Sequence, residues 1–117
     1  MYNGAMVEKE LIAASTEPLI LALLAQNESY GYALIQNVRE LSGDRIRWTD
    51  GMLYPVLHRL EKRGLIKARW GQSEIGRKRK YYSIRKEGHA ALEQARSQWL
   101  AVIATLNLVW SEDHVRA

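Results

Sequence analysis

The 117-residue sequence contains no cysteine. This absence excludes disulfide bonds and thiolate metal ligands, and it fits a cytoplasmic location. No apolar run approaches the roughly 20 residues that a membrane-spanning helix needs, and the N-terminus lacks the pattern of a secretory signal peptide. Two origins stay open for residues 1–6: a vector remnant or native sequence. The sequence therefore predicts a cytoplasmic globular protein with no membrane partner.

The sequence also lacks the combinations of residues that enzymatic chemistry requires. His58, His89 and His114 are too scattered to form a metal site, and no cysteine is available to complete one. No nucleophile–base pair, phosphate-binding glycine loop or pair of carboxylates is recognisable. We therefore expect neither an enzyme nor a protein that depends on a cofactor or a metal.

The charged residues are segregated along the chain. Residues 45–86 hold 13 Lys and Arg against 3 Asp and Glu, whereas the remainder holds 4 against 10. Solvated surfaces normally mix the two signs, so this segregation indicates a polyanionic partner. The basic segment has no wide apolar helical face to insert into lipid, which disfavours a membrane surface.

Apolar spacing predicts two helices before the basic segment. The first covers residues 7–14, after which Thr16 and Pro18 either start a new helix or kink one longer helix. The second helix starts at Tyr30 with Ser29 as its expected N-cap, and its apolar stripe extends to Leu41. Residues 45–48 alternate polar and apolar, which predicts a short strand.

A third helix is predicted from Thr49 onward, with Leu53, Val56, Leu57 and Leu60 spaced as one apolar face. Pro55 lies beyond the first turn of a helix capped by Thr49, so we expect either a bend there or a start nearer Gly51. Polar and aromatic side chains occupy the opposite face, where they could contact DNA. These outward residues are Tyr54, Pro55, His58, Arg59 and Lys62.

A β-hairpin is predicted next. Ile66, Ala68 and Trp70 alternate with cations, as in a strand with one buried face, and residues 71–76 form the expected loop. Both Trp48 and Trp70 are expected in the core. The returning strand, residues 77–84, places Arg77, Arg79 and Tyr81 on one side and Lys78, Lys80 and Tyr82 on the other. Cations on either side could bind phosphates.

The last helix is predicted over residues 86–110. Leu92, Trp99 and Leu106 recur every seven residues, as do Ala95, Val102 and Val109, with Ile103 and Trp110 beside them. The repeat is long enough to pack on a partner helix. The complete order predicts a mainly α fold with a small β-hairpin: a winged helix-turn-helix domain over residues 7–85 and a dimerisation helix over residues 86–110.

Several short motifs resemble the PadR family of transcriptional regulators, in its short subfamily with one helix after the wing. The resemblance covers roughly residues 15–108. Its motifs are Tyr30-Gly31-Tyr32, Gly51-Met52-Leu53-Tyr54-Pro55 with Arg59-Leu60-Glu61, Gly64-Leu65-Ile66, and Gly76-Arg77 with Arg79-Lys80-Tyr81-Tyr82 and then Gly88.

The resemblance implies a homodimeric repressor that binds a palindromic operator and is released by a small molecule. Some members of the family bind flat hydrophobic compounds in the space between the protomers. The resemblance also implies dimerisation through the last helix together with the first. Two residues depart from the family pattern. Met52 stands where a Thr is usual, which puts base preference there in doubt, and Arg85 stands where a capping Thr is usual.

The expected sites follow from these observations. The DNA-binding residues are Thr49, Asp50, Met52, Tyr54, Pro55, His58 and Arg59 in the third helix, and Arg77, Lys78, Arg79, Lys80 and Tyr81 in the wing. The dimer-interface residues are Leu11, Leu92, Ala95, Trp99, Val102, Ile103, Leu106 and Val109. Trp99 is either a core residue of the dimer or a stacking platform for the effector. Two other functions stay open: a winged-helix module that binds protein, and a carrier of hydrophobic small molecules.

Overall fold

The computed structural model describes the backbone of residues 5–116 and the side chains of residues 5–111. Its elements follow in the order α1 (Lys9–Gln26), α2 (Gly31–Leu41), α3 (Asp50–Lys62), β1 (Ile66–Gln72), β2 (Lys78–Ile84) and α4 (Lys86–Arg116). The mainly helical winged-helix fold predicted from the sequence is confirmed. Of residues 1–6, which the sequence left open as a vector remnant, residues 1–4 lie outside the described residues, as does the side chain of His114.

α1 is one continuous helix rather than a short helix followed by a new start. Thr16 does not cap a helix, because it is buried and its Oγ1 donates a hydrogen bond of 2.6 Å to the carbonyl of Ile12. Pro18 lies inside α1. Its missing N–H leaves the carbonyl of Ala14 without the usual helical partner.

Ser29 is not the N-cap of α2 that the sequence predicted. The N-cap of α2 is Tyr30, which makes no side-chain capping bond. Ser29 instead pairs with Tyr82: its N–H donates to the carbonyl of Tyr82 at 3.0 Å, and the N–H of Tyr82 donates to the carbonyl of Ser29 at 2.7 Å. A one-residue bridge therefore extends the hairpin along the free edge of β2.

The predicted strand at residues 45–48 is wrong. This segment is irregular, and the Ser42 Oγ accepts a hydrogen bond of 2.9 Å from the N–H of Ile46. Period-two alternation needs a neighbouring strand to become a sheet. Among the described residues, Ser29 alone adds a bridge to the hairpin, so residues 45–48 pair with neither strand.

α3 has well-formed ends. The Oγ1 of its N-cap, Thr49, accepts a hydrogen bond of 3.2 Å from the N–H of Met52. At the other end Gly64 takes a φ of +77°, and the N–H of Leu65 donates to the carbonyl of Leu60 at 3.0 Å. This is a Schellman motif, in which a left-handed glycine stops the helix. Thr49 is thus the cap, and Pro55 lies inside α3 beyond its first turn, so the alternative of a start nearer Gly51 is not the one observed.

The hairpin strands are antiparallel, with Ile66 paired to Ile84 and Gln72 paired to Lys78. The loop is thus shorter than the predicted one and covers only residues 73–77. Gly76 has a φ of +84° and donates its N–H to the carbonyl of Ser73 at 2.9 Å. The Ser73 Oγ accepts a hydrogen bond of 3.2 Å from the N–H of Arg77. These bonds order the wing tip.

The apolar faces of α1, α2, α3 and the hairpin meet in one core. Its fully buried side chains are Ile20, Leu34, Val38, Leu53, Leu57, Leu60 and Ile66. The sequence predicted that two tryptophans lie in the core, and only one of them does. Trp48 is buried as predicted, but Trp70 is 67% exposed. Trp70 was misplaced because β1 continues beyond the last residue that the core covers.

α4 starts at Lys86 and is held to the domain by a close backbone approach at Gly88. A Cβ at this position would lie 2.1 Å from the carbonyl oxygen of Leu65. Ala91 and Leu92 still pack partly against the core. From Leu100 to Ser111 every described side chain is exposed. The second half of α4 therefore projects from the domain.

Gly88→Ala and Gly51→Ala form a matched pair. We expect Gly88→Ala to destabilise the fold by about 1–3 kcal/mol, because the backbone of Leu65 cannot yield as a side chain could. Gly51→Ala should be neutral or stabilising by up to about 1 kcal/mol, because its Cβ would meet nothing closer than the Thr49 Oγ1 at 3.9 Å. Urea unfolding measures both, and equal stabilities would contradict the close approach.

Candidate nucleic-acid interface

α3 presents one face to the core and the other to solvent, as its sequence predicts. Leu53, Val56, Leu57 and Leu60 are buried. Tyr54, Pro55, His58 and Arg59 are exposed on the opposite side, and so are Thr49 and Asp50 at the start. Met52 differs, because its side chain packs partly against the core. The exposed face of α3 is thus a polar and aromatic surface on a rigid support.

Tyr54 is fixed by a close contact with α2. A Cβ at Gly31 would lie 2.3 Å from the Tyr54 hydroxyl oxygen, so only glycine leaves room for this ring. Gly31 is buried, whereas Tyr54 remains 45% exposed. The Tyr30-Gly31-Tyr32 motif and the motif that contains Leu53-Tyr54-Pro55 are therefore in contact in the folded protein. Their contact sets the position of α3 relative to the start of α2.

The wing has two faces of different character. Ile66, Ala68 and Trp70 share a face with their partners Ile84, Tyr82 and Lys80. This face, which also carries Lys78, turns toward α3 and is called the concave face. The opposite face carries Lys67, Arg69, Arg79 and Tyr81 and is called the outer face. Tyr82 is the buried tyrosine of the pair, and Tyr81 is half-buried on the outer face.

A chain of contacts on the outer face attaches the wing to the segment before α2. The Arg69 guanidinium donates hydrogen bonds of 2.7 and 2.6 Å to the Glu28 carboxylate, which lowers the pKa of Glu28. The same guanidinium lies 4.7 Å from the centre of the Tyr81 ring. Tyr81 meets Tyr30 edge to face at 5.6 Å, and the Arg79 guanidinium lies 3.8 Å from the centre of the Tyr30 ring. Arg69 and Arg79 thus hold the wing in place.

A groove of about 610 Å³ lies between the wing, α3 and the start of α2, and the wing lines it mainly with its concave face, to which Arg79 adds a side chain from the outer face. It is rich in aromatic rings and cations. The Lys80 Nζ lies 3.6 Å from the Glu61 carboxylate, whereas Lys78 has no ion-pair partner in the part of the chain that the structure describes. The lining residues are Tyr30, Gly31, Tyr32, Tyr54, His58, Trp70, Lys78, Arg79, Lys80 and Tyr82.

The groove gathers some of the residues expected to bind DNA and not others. Tyr54, His58, Lys78, Arg79 and Lys80 line it. The expected residues outside it are Thr49, Asp50, Met52, Pro55, Arg59, Arg77 and Tyr81.

Five lining residues were not predicted as site residues: Tyr30, Gly31, Tyr32, Trp70 and Tyr82. Tyr30 and Tyr32 flank Gly31 in a motif that carries the family resemblance, so the motif was a usable signal for them. No comparable signal marked Trp70 as a site residue, because apolar residues that alternate with cations are also typical of a strand with one face in the core.

Much of the positive charge outside the wing is neutralised within the protein. Asp44 accepts hydrogen bonds from Arg47 and Arg39, and these two bonds lower its pKa to about 2. Arg63 pairs with Glu17 at 2.9 Å. Within the described residues, Arg59, Lys62, Arg77 and Lys78 form no ion pair. The unpaired cations are therefore concentrated on α3 and the wing.

A second concavity lies between α1 and α4 and has a volume of about 450 Å³. It is largely apolar, with Glu93 and Arg96 as its charged residues. Trp99 is half-buried there and also borders a shallow cavity that Leu11 and Val102 line. The apolar residues of the larger concavity are Pro18, Leu19, Ala22, Ile46, Leu92 and Trp99.

The described residues contain no cluster of three or more His, Cys, Asp or Glu side chains that could hold a metal ion. Among these same residues, no helix has the length and apolar character required to cross a bilayer.

Comparison with known proteins gives a consistent result. The model of the transcriptional regulator PadR-like family matches residues 20–94. A transcriptional regulator of Mycobacterium tuberculosis, Rv3488, is 39% identical over 88 residues, which cover 75% of this chain and 78% of that protein. The family model and this relative thus each match more than half of the chain.

Solved structures show the same similarity. A transcriptional regulator from Clostridium thermocellum superposes with a TM-score of 0.80 at 29% identity, covering 87% of this chain and 96% of the other. A PadR-like transcriptional regulator from Bacillus cereus gives a TM-score of 0.76 at 32% identity, covering 86% and 96%.

The outer-face contacts predict that the Tyr30 ring contributes to stability and that its hydroxyl does not. We expect Tyr30→Ala to lower the free energy of unfolding by about 1–2 kcal/mol through loss of the contacts with Tyr81 and Arg79. Tyr30→Phe should stay within about 0.5 kcal/mol of the parent, because it keeps the ring. Tyr32→Ala is the control, since Tyr32 is 64% exposed. Equal losses in Tyr30→Ala and Tyr32→Ala would refute the role of the ring.

Proposed function

The chain belongs to the PadR-like family of transcriptional regulators, and from this premise we propose that it represses transcription as a homodimer on a palindromic operator. A flat hydrophobic effector releases it from that operator. The observation that carries the DNA-binding part is the cation- and aromatic-lined groove beside the exposed face of α3. Repression and release are carried over from the family resemblance.

The charge distribution supports a duplex as the partner. α3 offers His58 and Arg59 on its exposed face, and the wing adds Arg77 and Lys78 without ion-pair partners among the described residues. Phosphate contacts from such cations position a protein on DNA, while a helix in the major groove reads base edges. A protein-binding module or a small-molecule carrier would not need this concentration of unpaired cations.

The projecting half of α4 supports a homodimer. Its apolar side chains are 41–70% exposed, which is unusual for a helix that stays alone in solvent. Leu11 of α1 is 53% exposed and borders the same surface as Trp99 and Val102. A second copy packed along the heptad positions would cover both. The exposed apolar residues of α4 are Leu100, Val102, Ile103, Leu106, Leu108, Val109 and Trp110.

Dimerisation and ligand response are linked by geometry. Two recognition helices must lie about 34–36 Å apart to enter successive major grooves on one side of a duplex. The concavity at Trp99 lies between α1 and α4, the helices that would form the dimer. A flat molecule that binds Trp99 would shift α4 relative to α1, and its different affinity for the two arrangements would release the DNA.

Duplex binding should depend steeply on salt, and Lys78 should account for part of that dependence. We expect Lys78→Ala to weaken binding to all sequences alike and to reduce the slope of log K against log salt by about 0.9, the value for one lost phosphate contact. Lys9→Ala on α1 is the matched control. Gel shifts with the protein's own promoter at several salt concentrations measure both. Salt-independent binding would instead favour a protein-binding module.

Leu106→Glu should convert the dimer into a monomer at micromolar concentration, because it places a charge in the middle of the apolar surface. Leu41→Glu on α2 should leave the dimer intact, although Leu41 is also exposed, at 74%. Analytical ultracentrifugation distinguishes the two species. A wild-type protein that is monomeric over the whole concentration range would disprove the homodimer.

Trp99 should carry the response to a planar effector. We expect proflavine, used as a flat probe, to quench tryptophan emission of the wild-type protein and to bind at least tenfold more weakly to Trp99→Ala, about 1.4 kcal/mol. Trp110→Phe controls for the other tryptophan of α4. If quenching and affinity are unchanged in Trp99→Ala, Trp99 belongs only to the dimer core.

A further inference from the structure

Trp70 stands out among the exposed apolar residues because of where its strand leaves the core. It pairs with Lys80. Two residues closer to the core, the next pair on the same face is Ala68 with the buried Tyr82. The indole is 67% exposed and lines the groove between α3 and the wing. A single exposed apolar side chain is ordinary. An exposed indole in a groove lined by cations is not explained by packing within the protomer.

The lining of this groove matches the chemistry of a nucleotide chain. None of the lining residues is acidic, and the wing cations Lys78, Arg79 and Lys80 are accompanied by five aromatic rings. These rings belong to Tyr30, Tyr32, Tyr54, Trp70 and Tyr82. Cations bind the phosphates of such a chain, and aromatic rings pack on its sugars or bases. The groove is also continuous with the exposed face of α3 through Tyr54 and His58. A strand of the duplex contacted by α3 would therefore lie beside it.

We propose that one phosphodiester strand of duplex DNA runs through the groove between α3 and the wing, where Trp70 packs its indole against a deoxyribose. Lys78 and Lys80 bind the flanking phosphates, and Lys80 exchanges its 3.6 Å contact with Glu61 for one of them. Arg79 stays over the Tyr30 ring and keeps the wing at the angle that leaves the groove open. This assignment rests on the proposed function, since it presupposes a bound duplex.

The two kinds of contact differ in their response to salt. A sugar contact is apolar and independent of sequence, so Trp70→Ala should weaken binding to every duplex by about tenfold while leaving the salt slope unchanged. Trp70→Phe should recover most of the affinity, because a smaller ring still covers the sugar. Leu41→Ala is the matched control, since Leu41 is 74% exposed and lies outside the groove. Fluorescence anisotropy with labelled promoter duplex at three salt concentrations measures all four proteins.

A second measurement observes Trp70 directly. The difference in acrylamide quenching between wild type and Trp70→Phe isolates the emission of Trp70 from the other three tryptophans. We expect this difference to be large in the free protein and to fall at least threefold when the duplex is added. Thermal unfolding of each variant confirms that the folds are intact, which is expected because the replaced side chain is mostly exposed.

Failure of the inference and failure of the proposed function give different results. If the wild-type protein binds no duplex, the proposed function itself is wrong. If it binds with steep salt dependence but Trp70→Ala binds equally well, or Trp70 stays open to acrylamide in the complex, the groove does not hold a DNA strand. A loss in Trp70→Ala that is confined to one base pair would overturn the sugar contact in favour of a base contact.

Discussion

Two backbone hydrogen bonds between Ser29 and Tyr82 fix the geometry on which the candidate site depends. They join the segment before α2 to the wing, which is otherwise a two-stranded hairpin and would be marginal alone. Because side chains alternate along the paired segments, Glu28 and Tyr30 fall on the outer face beside Arg69, Tyr81 and Arg79. The opposite face is thereby left open toward α3. The groove exists because the wing is attached along one edge and on one face only.

Charge is distributed to match this geometry. Aspartate and glutamate residues neutralise arginines away from α3 and the wing, most clearly at Asp44, which two guanidinium groups hold ionised. These exposed pairs add little to stability, but they leave α3 and the wing with most of the cations that form no ion pair among the described residues. Arg69 and Arg79 were counted among that charge in the sequence, yet both lie against aromatic rings of the outer face. Arg69 is thereby confined to the outer face, whereas Arg79 packs on Tyr30 and also lines the groove.

The local features of the fold were predictable from the sequence, and the long-range ones were not. Apolar periodicity identified α3 and α4, and alternation identified the hairpin. The same alternation misplaced Trp70, because a sequence pattern does not mark where the core ends along a strand. Ser29 was read as a helix cap because its pairing with a residue far along the chain has no local signal. The exposed face of α3 and the wing cations followed from composition and spacing, whereas Tyr30 and Tyr32 come from α2 and join the groove only through tertiary contacts.

The central claim is that α4 places two copies of this site on one side of a duplex. Because the chain has no cysteine, a single introduced cysteine gives a unique position for a spin label. Double electron–electron resonance on the free protein measures the distance between the labels of the two protomers. One sample carries the label at Gly51→Cys and another at Lys62→Cys, near the two ends of α3. The account predicts that the mean of the two inter-protomer distances lies near the spacing of successive major grooves, about 34–36 Å. An absence of dipolar coupling, or a mean distance below about 20 Å or above about 50 Å, would contradict it.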